Sequence, residues 1–242
     1  MAIDTCQRLA PGVSPLTRPP GPWRWSQCWR DVLFLHWPAA REKLAEQLPS
    51  GLELDTYYGE GWVSFVGFRL QDVRLRGWPA LPFCSQMLEL NFRTYVRHRG
   101  EPAIYFLTMH ADHRWMIAAA RLLTPLPYEL ARLSYTTDTA SGEFVCEPLS
   151  NDRPLLTARF RLGETLGSAQ PDSLDAWLTE RYIAYAGTPR ERLLRMQVWH
   201  EPWLLREIAL ENCQQQVSTR AFQPKCHYSA GVSSLLWPFE LM

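Results

Sequence analysis

Residues 87–98 have the sequence MLELNFRTYVRH, in which apolar and polar side chains alternate. Side chains of a β-strand point to opposite faces with a period of two, so the segment predicts a strand with two unlike faces. The apolar row is Leu88, Leu90, Phe92, Thr94 and Val96, and the polar row is Glu89, Asn91, Arg93, Tyr95 and Arg97. Alternation alone favours a solvated face for the polar row. It leaves open the inner wall of a ligand-binding cavity in a barrel.

The rest of the chain predicts a mainly β, single-domain protein with about three short helices. Further strand candidates lie at residues 31–37, 52–58, 61–70, 103–109, 128–135, 143–148, 154–162 and 193–200. Helical patterns lie at 38–49, 114–123 and 173–183, the last with Asp172 or Ser173 as N-cap. Residues 1–28 are rich in proline without periodicity and predict an extended or mobile arm, so the expected domain spans 29–242.

Composition restricts the class of function. The net charge is zero and arginines alternate with acidic residues, whereas a nucleic-acid binder carries a concentrated basic patch. No stretch approaches the roughly 18 apolar residues of a membrane span, and the first residues lack the apolar run of a signal peptide. Six cysteines without a C-x-x-C pair do not form a disulfide framework. We therefore expect a cytoplasmic protein that binds neither nucleic acid nor membrane.

Two histidine-containing motifs are weak candidates for chemistry. His110 and His113 have H-x-x-H spacing, but a zinc site needs a third ligand and none is nearby in sequence, so no metal is expected. The alternative is a strand-to-helix turn in which Asp112 caps the following helix. Cys226 and His227 are adjacent, and adjacent residues of a strand point to opposite faces. No nucleotide-binding or serine-hydrolase motif occurs, and no cofactor is expected.

Seven segments occur in order along the chain: WRDVLFLHW (29–37), LPSGLELDTY (48–57), GWVSFVGFR (61–69), ELNFRTYV (89–96), LPY (126–128), LTERY (178–182) and HEPW (200–203). Together they resemble the YqjF-like family of uncharacterised bacterial proteins, which is distantly related to acetoacetate decarboxylase. The resemblance implies a curved, cone-like antiparallel β-barrel with flanking helices and an internal pocket.

The decarboxylase uses a tandem lysine pair after a proline, whose lowered pKa gives a Schiff-base nucleophile. The corresponding stretch here is Pro127-Tyr128-Glu129, without lysine. The only lysines are Lys43, on the polar face of a predicted helix, and Lys225, near the chain end. Acetoacetate decarboxylase activity is therefore not expected.

The resemblance also supplies candidate site residues. Glu89 matches a glutamate on a central strand, Arg30 loosely matches an arginine that receives the substrate carboxylate, and Tyr128 takes the place of the nucleophile. From the strand itself, Arg93 is suited to a bidentate grip on a carboxylate. Asn91 and Tyr95 share its row and are the further candidate ligand-binding residues.

Three hypotheses follow. The first is a lyase-, hydratase- or isomerase-type enzyme acting on a small organic acid or acyl compound. Glu89 is then the acid or base, with its pKa raised by burial and pulled back by Arg93, and Tyr128 polarises a carbonyl. The second is a non-catalytic barrel that senses or carries such a ligand. The third is a structural protein whose aromatic side chains fill the pocket. A homodimer through exposed strand edges is compatible with all three.

Overall fold

The computed structural model describes residues 18–80, 86–124, 126–150, 153–187, 193–216 and 223–242. The strands are β1 Trp25–Ala39, β2 Glu53–Leu54, β3 Gly61–Leu75, β4 Met87–His98, β5 Glu101–Ala111, β6 Tyr128–Thr137, β7 Ser141–Pro148, β8 Leu156–Ser168, β9 Ile183–Ala186, β10 Leu194–His200, β11 Leu204–Gln215, β12 Lys225–Leu236 and β13 Glu240–Leu241. The helices are α1 Arg41–Ala45, α2 Arg114–Leu123 and α3 Leu174–Thr179.

The N-terminal boundary differs from the expected one. Strand β1 begins at Trp25, so the end of the proposed arm belongs to the sheet, and residues 1–17 lie outside the described residues. Trp25 pairs with Leu236 of β12 on one side and with Leu75 of β3 on the other. The nearby prolines led us to assign residues 25–28 to the arm, although they belong to a strand that pairs with a neighbour on each side.

All thirteen strands form one strongly curved sheet that closes on itself twice. The first ring runs β5-β6-β7-β8-β11-β12-β1-β3-β4 and closes through the β4–β5 pair. The second ring shares β12, β1, β3, β4 and β5 and closes through β9 and β10. The expectation of a curved, mainly β fold with three helices is confirmed.

The pairing is antiparallel except at two places, where β5 pairs in parallel with β6 and with β9. A parallel pair needs a crossover connection, and α2 supplies it between β5 and β6. The pattern of side chains within a strand carries no information about the direction of its neighbours.

The shared strands separate two interiors because both of their faces are buried. Leu33 and Leu35 of β1 belong to the large apolar core, to which the strands of the first ring contribute. Val32 and Phe34, the alternate residues of the same strand, pack with Trp203 on the opposite face. That second face, closed by β9, β10 and α3, carries the polar side chains described below.

The predicted helices are present but two of them are shorter than the sequence pattern. Helix α2 has the predicted bounds, whereas α1 and α3 contain only five and six residues. Ser173 is the N-cap of α3, and its side chain accepts a hydrogen bond from the Ala176 amide, as predicted. Helix α3 ends at Thr179 because strand β9 begins at Ile183.

No helix among the described residues is long and apolar enough to cross a membrane. Of the described cysteines, Cys146, Cys213 and Cys226 are free.

Candidate functional site

Four of the five side chains in the polar row of β4 are buried, all except Arg97. Glu89, Asn91, Arg93 and Tyr95 keep only 4%, 5%, 9% and 0% of their surface exposed. The interpretation of this row as a solvated face, which alternation alone favoured, is therefore wrong. Helix α3 covers one end of the row, where the Trp177 ring lies 4.4 Å from the Tyr95 ring. Alternation identifies the two faces of a strand, but it does not reveal what packs against each of them.

Glu89 and Tyr128 form a buried pair at one end of the row. The Tyr128 hydroxyl, on β6, donates a 2.9 Å hydrogen bond to Glu89 Oε2. Burial raises the pKa of Glu89 to about 7, although the hydrogen bonds from Tyr128 and Asn91 oppose that rise. Burial and the adjacent carboxyl raise the pKa of Tyr128 well above its usual value. At neutral pH Glu89 is therefore present in both protonation states, as a general acid or base requires.

The electrostatic effect expected from Arg93 on Glu89 is not found. The groups that lower the Glu89 pKa are Tyr128 and Asn91. Arg93 instead lowers the pKa of His36 and of His200. Its guanidinium points along the row toward Tyr95 and α3, away from Glu89. One row of a strand thus carries the acid and the cation, but at opposite ends.

Arg93 is a buried cation whose charge is not balanced by a neighbouring acid. Its terminal nitrogen donates a 3.5 Å hydrogen bond to the Leu178 carbonyl, and its Nε is buried without a hydrogen-bond partner. No carboxylate lies within ion-pair distance of Arg93 in the part of the chain that the structure describes. Burial lowers the pKa of this guanidinium, and Tyr95 partly offsets the effect. A buried charge without a partner is costly to the fold.

Tyr95 links the row to two residues that the sequence did not mark as functional. Its hydroxyl donates to the Leu178 carbonyl at 2.9 Å and lies 2.6 Å from Ser64 Oγ. Ser64 Oγ in turn lies 2.6 Å from His36 Nδ1. Burial lowers the pKa of His36 well below its usual value, and His227, Arg93 and Lys225 lower it further. Nothing in the sequence around Ser64 or His36 indicated this network.

Arg30 is not brought to this cluster. Its neighbour Trp29 stacks on Trp203 with 5.9 Å between ring centroids, and Trp203 also packs against Phe34, on the face of β1 that carries the site. Because adjacent side chains of a strand alternate, Arg30 points to the opposite face. Arg93, and not Arg30, is therefore the candidate anchor for a ligand carboxylate.

His200 is a buried histidine near Arg93 that the sequence assigned only to a strand end. Its Nδ1 lies 2.7 Å from the Glu201 carbonyl oxygen, and its ring stacks on Tyr182 with 4.8 Å between centroids. Burial lowers the pKa of His200 to about 4, and Arg93 contributes in the same direction while the hydrogen bond to Glu201 opposes it. His200 is therefore a neutral imidazole at neutral pH.

The H-x-x-H pair does not form one ligand set. His110 is buried on β5 with Nε2 3.6 Å from Glu129 Oε2, whereas His113 is the N-cap of α2. The expectation that Asp112 caps α2 is wrong, because the Asp112 carboxylate accepts a hydrogen bond from the Leu88 amide instead. No group of three or more potential metal ligands occurs among the residues described.

Cys226 and His227 point to opposite faces of β12. Cys226 packs against the large apolar core, and burial raises its thiol pKa to about 12. The His227 ring lies 5.9 Å from that of His36, and its Nε2 is 3.4 Å from Asp175 Oδ1.

The two lysines lie outside the Glu89 site. Lys225 Nζ lies 2.7 Å from Asp175 Oδ1, and Lys43 is exposed on α1. Neither lysine lies beside Glu89.

The sequence profile of the DUF2071 family, described as an uncharacterized conserved protein, matches residues 26–233. This chain belongs to the DUF2071 family. Uncharacterized protein YqjF of Bacillus subtilis (strain 168) is 36% identical over 233 residues, which are 92% of this chain and 94% of YqjF. The resemblance inferred from the sequence is thereby confirmed.

Solved structures of acetoacetate decarboxylases and related enzymes have the same fold as this DUF2071 protein. The Legionella pneumophila enzyme is similar with a TM-score of 0.65 at 14% identity, covering 95% of this chain and 92% of that one. The enduracididine biosynthesis enzyme MppR complexed with pyruvate has a TM-score of 0.63 at 13% identity, covering 94% and 91%. An acetoacetate decarboxylase-like enzyme from Sphingomonas wittichii RW1 has a TM-score of 0.65 at 10% identity, covering 92% and 94%. At these identities the likeness concerns the fold alone.

Proposed function

We propose that the protein binds a small organic acid or acyl compound at the buried face of β4 and catalyses proton transfer next to its carbonyl group. The observation that carries the proposal is the unbalanced charge of Arg93, buried in the same row as Glu89. A ligand carboxylate would supply the missing counter-charge and accept two N–H groups of one guanidinium. The binding energy of the ligand would then offset the cost of burying the cation.

The Glu89–Tyr128 pair provides the chemistry in this proposal. Ionised Glu89 accepts a proton from the carbon beside a ligand carbonyl, and its protonated form returns one. The Tyr128 hydroxyl turns from Glu89 to the carbonyl oxygen and stabilises the enolate that forms. A pKa of about 7 at Glu89 gives comparable amounts of both forms at neutral pH. Lyases, hydratases and isomerases that remove a proton beside a carbonyl group pass through such an enolate.

A specific observation also supports the second candidate, a sensor or carrier without catalysis. The two lysines of the chain are exposed or ion-paired with Asp175, so neither supplies an iminium as electron sink. In that case Arg93 binds the acid and the Glu89–Tyr128 hydrogen bond only completes the polar wall. The two candidates predict the same binding and differ in proton exchange.

An exchange experiment in deuterated water separates them. The purified protein is incubated with straight-chain oxo acids of three to ten carbons, and loss of the hydrogens beside the carbonyl is followed by NMR. The enzyme proposal expects exchange that Glu89→Gln abolishes while binding survives, with the exposed Glu60→Gln as control. Binding without exchange supports the carrier. Absence of binding to any acid, or equal binding by Arg93→Gln, contradicts both.

A further inference from the structure

The two functional ends of the site lie far apart along β4. Glu89 and Arg93 are four residues apart on one face, which separates their Cα atoms by about 13 Å. The side chains do not close this gap, because Arg93 reaches the Leu178 carbonyl and affects the pKa of His36 and His200 rather than that of Glu89.

Apolar side chains lie between the two ends on the same face of the sheet. The cross-strand neighbours of Asn91, halfway along the row, are Val66 on β3 and Met109 on β5. Directly paired residues of neighbouring strands present their side chains on the same face. Val66 and Met109 are both buried in apolar clusters. The site therefore has a polar end, an apolar middle and a second polar end.

Asn91 places a polar group in the middle of the row, and half of its amide is unused. Its side chain donates a hydrogen bond to Glu89, which lowers the pKa of that carboxyl group, while its Oδ1 is buried without a partner. A buried acceptor without a donor costs free energy that a ligand or water would recover. A hydroxyl group near the middle of a ligand would meet this oxygen.

We infer that the ligand is an elongated acid. It has a carboxylate at Arg93, an aliphatic segment beside Val66 and Met109, and a carbonyl group at Glu89 and Tyr128. The inference rests on the proposed function and specifies its substrate class. Subtracting one hydrogen-bond length at each end from the roughly 13 Å between the Cα atoms leaves about 7 Å, and because the Arg93 guanidinium points away from Glu89 this is a minimum, so about six or more carbon–carbon bonds separate the carboxyl carbon from the carbonyl carbon. A 2-oxo or 3-oxo acid is too short to reach both ends.

A length series tests this inference. Affinities of 3-oxobutanoate, 5-oxohexanoate, 7-oxooctanoate and 9-oxodecanoate are measured by calorimetry, with octanoate as the acid of matched length without the oxo group. We expect 7-oxooctanoate and 9-oxodecanoate to bind at least about tenfold more tightly than 3-oxobutanoate. The gain of 7-oxooctanoate over octanoate should disappear in Glu89→Gln. All the acids should lose affinity in Arg93→Gln.

The results separate the inference from the function on which it rests. If 3-oxobutanoate binds as tightly as the longer acids and loses affinity in both variants, one short ligand contacts both ends and the elongated class is wrong, although the proposed function stands. If no acid binds to the unmodified protein, the proposed function fails as well. Because the length series uses the unmodified protein, it decides the matter even if a variant does not fold, which melting curves without ligand would reveal.

Discussion

The Tyr128 hydroxyl donates a 2.9 Å hydrogen bond to the carboxyl group of Glu89, and both groups are buried on the face of the sheet that carries the site. Residue 128 is the position at which the resemblance to acetoacetate decarboxylase would place a lysine nucleophile. A phenol there donates a hydrogen bond to the carboxyl group and carries no positive charge. With no cation among the groups that lower it, the pKa of Glu89 rises to about 7.

Replacing Glu89 by Gln should change how stability depends on pH. The folded-state pKa of about 7 exceeds the ordinary value of 4.5, so between these values the native state holds a proton that the unfolded state has lost. Glu89 therefore makes the protein less stable as pH rises through this window, by about 3 kcal/mol in full. Denaturant unfolding of both proteins at pH 4.5 and pH 8 measures this effect. From the lower to the higher pH, the free energy of unfolding of Glu89→Gln relative to wild type should increase by about 3 kcal/mol. A constant difference between the two proteins at the two pH values would contradict the raised pKa of Glu89.

Two buried arginines should respond oppositely to replacement by methionine. Arg181 Nη1 lies 2.9 Å from the buried Asp55 carboxylate, whereas Arg93 has no ion pair among the described residues. Arg181→Met leaves Asp55 with Arg97 as its remaining ion-pair partner and should cost about 3 kcal/mol. Arg93→Met removes an unbalanced charge and should leave the free energy of unfolding unchanged or raise it by about 1–3 kcal/mol. A large loss of stability in Arg93→Met, measured by urea unfolding without ligand, would show that the arginine serves the fold.

Tyrosine hydroxyl groups on the two faces of the sheet give a matched pair. Tyr95→Phe removes the donor to the Leu178 carbonyl and breaks the link to Ser64, which should cost about 1–3 kcal/mol. The Tyr135 hydroxyl is buried in the large core without a hydrogen-bond partner in the described structure. Tyr135→Phe should therefore be neutral or stabilising in the same unfolding assay. Equal costs for the two variants would argue against the Tyr95 network.

Gly67 is a point of close approach inside the first ring. A Cβ atom built at Gly67 would lie 2.7 Å from the Phe144 ring, so Gly67→Ala forces that ring to move. We expect a loss of about 1–3 kcal/mol in the free energy of unfolding. Gly67→Ala should cost less free energy of unfolding when it is introduced into Phe144→Leu than when it is introduced into the wild type, because the smaller side chain makes room for the added methyl group. Additive costs would show that the ring is not the obstacle.

The sequence determined the strand pattern, the family and the residues of the polar row. Two-residue alternation is a local property, so it identifies the faces of β4 without knowledge of the neighbours, and ordered matches to a family carry its fold. The bounds of α2 and the Ser173 cap followed for the same reason, since a short helix and its cap lie within a few residues of each other.

Only the tertiary structure decided which face of β4 meets the solvent and which charges meet each other. Burial of the polar row depends on α3, about 80 residues away, and the position of Arg93 relative to Glu89 depends on a carbonyl of that helix. The Ser64–His36 contact and the parallel pairs of β5 likewise join distant segments. Such relationships arise from how curved sheets close, and because the residues lie far apart in the chain, no local pattern records them.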